Sequence, residues 1–149
     1  MEKTEATVFW GTICMNIIDL AFISDQIKRE IFHKTKLNMS QVRLICFFAK
    51  NGNQQVAMGD LAQNLQISPS TLSRQLHQPK TATLLKNEKV ANSSSKMVCL
   101  NKEGQALAND LQEQLTDIKK HLLADWKPTE LADLSEKILR LRSSLEKEF

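Results

Sequence analysis

The chain has 149 residues, of which 42% are hydrophobic and 25% charged, and a formal net charge of +3. That length suits one domain with a proper core and is short for two, and no apolar run approaches the roughly 20 residues a membrane span needs. The 3 cysteines, Cys14, Cys46 and Cys99, lie far apart without a CxxC pair, which argues against a disulfide framework or a zinc ribbon.

The opening, MEKTEATVFW, is acidic and lacks the basic and apolar regions of a secretory signal, so a cytoplasmic location is expected. From about Thr7 to Lys34, Ile13, Ile17, Leu20, Ile27 and Ile31 recur at helical spacing and predict one long helix. Val8, Phe9, Trp10, Ile18, Ala21, Phe22, Ile23 and Phe32 widen its apolar surface beyond one stripe, so at least two faces need cover. Met39-Ser40 begins a second helix, with Val42, Leu44, Ile45, Cys46, Phe47, Phe48 and Ala49 as core candidates. Asn51-Gly52-Asn53 ends it, Gly52 supplying the left-handed cap. Gly59 and Asp60 open a third helix that buries Leu61, Ala62 and Leu65, and Gln66-Ile67-Ser68 is a tight turn into a fourth.

Ser68 and Pro69 form a helix start with a physical basis: the hydroxyl accepts from an orphan N–H, and proline needs no donor at the first helical position. Leu72 and Leu76 then make an apolar stripe, while Thr71, Arg74, Gln75 and Gln78 fall at i, i+3, i+4 and i+7 on a different face. Two helices joined by a short turn, the second with a polar face, match a helix-turn-helix. Charge points the same way. Between Ser68 and Lys102 stand 6 basic residues (Arg74, Lys80, Lys86, Lys89, Lys96, Lys102) against one acid, Glu88, whereas the rest of the chain has 14 basic and 16 acidic residues. A cluster of that kind beside a candidate reading helix is the footprint of phosphate contact.

Pro79 interrupts the pattern, so the reading helix should end near Gln78. Lys89-Val90-Ala91 and Met97-Val98-Cys99-Leu100 read as two short strands around the turn-forming Asn92-Ser93-Ser94-Ser95, a small β-wing. Asn101 caps a long helix to about Asp125 with Leu107, Leu111, Leu115, Ile118 and Leu122 on one stripe. Pro128 starts the last helix, where Leu131, Leu134, Ile138, Leu141 and Leu145 show a heptad spacing. The terminal helices carry more apolar surface than the winged core can cover, and a homodimer built from them is expected.

In this order the segments LNMSQVRLICFFAKNG, MGDLAQNLQISPSTLSRQL, LNKEGQAL and WKPTELADLSEKILRLRSSLEK resemble the MarR family of winged helix-turn-helix transcriptional regulators. Gln41 sits where the family commonly has Gln. Leu61-Ala62 and Leu65 fit its scaffold helix, Ser68 with Ser70-Thr71-Leu72-Ser73-Arg74 its recognition helix, and Leu100-Asn101-Lys102-Glu103-Gly104 the segment after the wing. The resemblance implies a mainly α fold with a small β-wing in one domain: dimerisation helices over 1–36 and 102–149, and a DNA-binding lobe over 37–101. It implies a homodimer on a pseudo-palindromic operator, usually a repressor released by a small apolar or aromatic ligand or by thiol oxidation. The alternative is a protein of this fold that has lost operator binding and acts through protein contacts. Two departures stand out: Pro79 and Thr83 replace the family's usual Leu and Gly, predicting an irregular helix end, and the wing tip carries serine where the family has arginine.

The expected DNA contacts are Ser68, Ser70, Thr71, Ser73, Arg74, Gln75 and Gln78 on the recognition helix and Lys86, Lys89, Ser94 and Lys96 on the wing. Arginine suits guanine and glutamine suits adenine by bidentate pairing, while serines, lysines and a helix N-terminus suit phosphates. Met15, Ile18, Phe22, Phe47 and Phe48 are candidates for an effector pocket, and Cys14 for a redox sensor. His33, His77 and His121 are isolated, so neither a metal nor a cofactor is expected. No nucleophile with a base and no glycine-rich phosphate cradle is present, so the chain does not read as an enzyme.

Overall fold

A computed structural model describes residues 12–91 and 96–148, with residues 12–15 and 148 described as backbone only. The chain divides into two compact units, Met1–Leu115 and Thr116–Phe149. In the first, α1 (Thr12–Thr35) leads into α2 (Met39–Lys50) through a turn closed at each step by a hydrogen bond. The Thr35 hydroxyl donates to Ile31 O at 2.7 Å and accepts from Leu37 N at 3.1 Å, while Lys36 takes a left-handed φ of 58°. Asn38 then starts α2 with a capping box: its side chain accepts from Gln41 N and its own N–H donates to Gln41 Oε1, each at 3.0 Å. These two bonds satisfy donors that the helix start would otherwise leave orphaned.

Helix α2 buries Gln41, Val42, Leu44, Ile45 and Phe48. It stops at Gly52, whose φ of 70° is the expected left-handed cap, with Asn53 also left-handed at 56°. The Asn53 amide turns that stop into a tertiary tie by donating to Leu100 O at 3.0 Å and accepting from Leu100 N at 2.8 Å. Next come β1 (Val56–Ala57), α3 (Met58–Leu65) and α4 (Pro69–Leu76). Leu61, Ala62 and Leu65 of α3 are buried with Leu72 and Leu76 of α4, as their spacing predicts.

The expected two-stranded hairpin is a three-stranded antiparallel sheet of order β1-β3-β2. Strand β2 is Leu85–Lys89 and β3 is Lys96–Leu100, so Val90 and Ala91, expected within a strand, come after β2 instead. Val90 is exposed, whereas Val98, Cys99 and Leu100 of β3 are buried. Burial of the β3 residues fixes the register at Leu85 opposite Leu100, which sets the earlier strand position. Asn101 caps α6 (Lys102–Leu122) by accepting from Gly104 N at 2.8 Å, and its own N–H donates to Leu84 O at 3.0 Å. A Cβ on Gly104 would collide with that same Leu84 carbonyl, which is why glycine stands there.

The second unit contains the end of α6 and α7 (Pro128–Glu148). Glu130 reaches back to accept from Lys127 N at 2.7 Å, closing the first turn of α7. Leu131 and Leu134 are half-buried, whereas Ile138, Leu139, Leu141 and Leu145 are more than half exposed, at 53–60%. No helix among the described residues is long and apolar enough to cross a membrane.

Candidate nucleic-acid interface

The candidate reading helix, α4, is capped at its start, and the helix before it is capped at its end. Ser68 Oγ accepts from Thr71 N at 3.1 Å, and Pro69 occupies the first helical position, as expected of the pair. Behind it, Arg43 Nη2 donates to Leu65 O at 2.6 Å, capping α3, and Gln66 makes the turn with a left-handed φ of 55°. With Leu72 and Leu76 buried, Ser70 and Arg74 are exposed, and Thr71, Ser73 and Gln75 are half-buried. Ser68, Ser70 and Thr71 share a hydroxyl network of 2.8 and 3.0 Å at the exposed helix start.

The far end departs from expectation. Helix α4 ends at Leu76; His77 still has a right-handed helical backbone and donates its N–H to Ser73 O at 3.1 Å, whereas the exposed Gln78 turns extended (φ −60°, ψ 132°) and does not carry the helix on. It instead precedes α5 (Pro79–Ala82), where Pro79 begins a helix and does not merely break one. Here Pro79 behaves as Pro69 does, at a helix start. Thr81 of α5 is buried and receives a hydrogen bond from the buried Gln41 amide at 3.3 Å, which ties α5 to the capping box of α2. Two other polar groups escape sequence reasoning. His77 Nδ1 lies 2.6 Å from Ser73 O and requires its proton there, and Asn53 anchors β3. Neither has a sequence signature, because each bond depends on backbone geometry.

The positive charge is unequally free. Lys86 on β2 pairs with Glu88, whose other oxygen accepts from Gln55 Nε2 at 2.7 Å. The hydrogen bond that Lys86 donates to Glu88, together with the Glu88 charge, pushes the Lys86 ammonium above its ordinary range, and bonding to Lys86 and Gln55 holds the Glu88 carboxyl below its own. No carboxylate among the described residues pairs with Arg74, Lys80, Lys89, Lys96 or Lys102. Ser94 of the expected wing contacts lies outside the described residues.

The candidate effector residues whose side chains are described differ widely in burial. Phe48 is fully buried and packs edge-on against Phe47 with ring centroids 5.2 Å apart, while Ile18 and Phe22 are 50% and 66% exposed on α1. The Cys14 and Met15 side chains lie outside the described residues. A cleft of about 470 Å³ opens elsewhere, between Phe32, Lys36, Asn38, Gln41 and the Gln78-Pro79-Lys80 junction. Among the described residues, no three His, Cys, Asp or Glu side chains gather as a metal site.

Among solved structures, the chain is similar to AbsC, a MarR family transcriptional regulator from Streptomyces coelicolor (15% identity, 99% of each chain, TM-score 0.72). It is also similar to S. aureus MepR in its DNA complex (17% identity, 85% of this chain and 94% of that one, TM-score 0.70). A third likeness is to NadR in complex with 4-hydroxyphenylacetate (20% identity, 88% and 92%, TM-score 0.65). No family sequence model matches the chain, and no curated protein matches it. The chain therefore has the winged helix-turn-helix fold of MarR family regulators.

Proposed function

We propose that this chain is a sequence-specific regulator of transcription that binds double-stranded DNA. It acts as a homodimer on a pseudo-palindromic operator, as a repressor released by a small ligand or by oxidation of a thiol. The observation that carries the reading is α4 itself: a helix capped by Ser68, buried through Leu72 and Leu76, and presenting an Arg74 with no carboxylate partner among the described residues. Arg74 and Gln75 reach base edges in the major groove, and Ser70, Ser73 and the start of α4 hold phosphates. Thr71 and Gln78 complete the base-reading set, Gln78 from just past the last turn of α4.

Residues 37–101 form the DNA-binding lobe, and the helical segments within 1–36 and 102–149 carry dimerisation, supported by the exposed apolar residues of α1 and α7. MepR is described with DNA and NadR with 4-hydroxyphenylacetate, and these likenesses support DNA binding and an aromatic effector for this chain. Thiol oxidation rests on Cys14 alone.

The test is selection of bound duplexes from a random DNA pool by the full chain. Enrichment of an inverted repeat with half-sites about one helical turn apart is the expected result. Failure to enrich any sequence at low salt would overturn the reading and favour a protein of this fold that works through protein contacts alone.

A further inference from the structure

The wing has two faces with different electrostatics. In the antiparallel register Lys86 lies opposite Cys99 and Glu88 opposite Met97, while Lys89 lies directly opposite Lys96. Opposed residues share a face and successive ones alternate, so Lys86 and Glu88 lie on one side and Lys89 and Lys96 on the other. On the first side the charges cancel, and Gln55 adds a second hydrogen bond to the carboxylate. On the second side two lysines occupy directly opposed positions with no carboxylate partner among the described residues, and like charges opposed in this way cost stability in the free protein. Both lysines are exposed.

We infer that Lys89 and Lys96 together form the wing's contact with the phosphate backbone of duplex DNA, and that Glu88 with Gln55 withdraws Lys86 from that contact. The inference rests on the DNA-binding reading above and assigns separate roles to three lysines that look equivalent in sequence. An anion between Lys89 and Lys96 relieves their repulsion. For Lys86 to meet a phosphate it must leave Glu88, and the carboxylate then remains beside the phosphate and opposes the contact. Lys86 therefore displaces no net counterion from DNA, whereas Lys89 and Lys96 each do.

The salt dependence of affinity reads this directly. The full chain and its variants are titrated by fluorescence anisotropy against one duplex at several salt concentrations. Lys89→Gln and Lys96→Gln should each weaken binding and make the log–log slope shallower by about 0.9, the value for one lost phosphate contact. Lys86→Gln should leave the slope unchanged. Glu88→Gln should tighten binding and steepen the slope by about 0.9, and adding Lys86→Gln to it should restore the parental slope. The inference falls if Lys86→Gln flattens the slope as the other two do, if Lys89→Gln and Lys96→Gln leave it unchanged, or if Glu88→Gln has no effect. A parent chain that binds no duplex at any salt overturns the DNA-binding reading and this inference with it, whereas a parent that binds normally isolates the wing assignment. All four side chains face solvent or are only half-buried, and thermal melting checks that each variant is folded.

Discussion

Arg74 shows how much a single side chain is asked to do when its neighbours are short. Ser70, Thr71 and Ser73 reach little beyond the backbone, and Gln78 lies past the helix end, so one guanidinium provides the only long cationic reach on α4. Arg74→Ala is expected to cost about 1–3 kcal/mol of operator affinity and to relax preference at one base pair per half-site. Anisotropy against the selected operator and its single-base variants measures both, and undiminished affinity would mean that α4 is not the reader. Arg74→Lys should recover part of the affinity but not the base preference, because an ammonium cannot pair bidentately with guanine. Cys46 makes the opposite case, of a residue whose surroundings quiet it. Burial pushes its thiol up from the ordinary range, so the thiolate is scarcer at neutral pH and its share grows only as pH rises above that range. Peptide-mapped alkylation at mildly alkaline pH should therefore modify Cys46 more slowly than a free cysteine standard; a rate equal to the standard would contradict this.

At the scale of elements, legibility tracks length and periodicity. The long helices are plain in the sequence because their apolar positions repeat every 3–4 residues over several turns, and the Ser68-Pro69 start is plain because it is a local rule. Strand β1 is not legible, since two residues, Val56 and Ala57, cannot show an alternation. Strand β2 lies earlier than the strand propensity of Val90 suggests, because burial of Val98 and Leu100 on the neighbouring strand sets the pairing. Pro79 reads as an interruption because its role as a helix start depends on the residues after it: α5 is only one turn, and its anchor is the long-range bond from Gln41 to Thr81. That bond makes a specific demand. Thr81→Val keeps the shape but leaves the buried Gln41 amide without its acceptor, which should destabilise the fold by about 1–3 kcal/mol, whereas Thr81→Ser should lose much less. Urea unfolding of the pair of variants distinguishes them, and equal losses would show that the bond contributes nothing.

For the whole molecule, the exposed apolar residues of α7 bear most directly on assembly. Ile138, Leu139, Leu141 and Leu145 each stand more than half in solvent, and full burial of such a side chain contributes about 1.5–3 kcal/mol. The double substitution Ile138→Glu with Leu141→Glu should yield a folded but monomeric chain by sedimentation and should abolish tight binding to an inverted repeat while sparing weak binding to a half-site. A variant that remains dimeric would move the interface away from α7. The wing carries a different message about the molecule at rest. Because Lys89 and Lys96 are like charges at directly opposed positions of the hairpin, Lys89→Gln should raise the melting stability of the free protein by about 0.2–1 kcal/mol in dilute buffer and leave it unchanged in concentrated salt. On the wing assignment proposed above, the same substitution should weaken the grip on DNA. Folding and binding are thus set against each other at one pair of residues, so that a screen for thermostable variants would tend to select proteins that hold their operator less well.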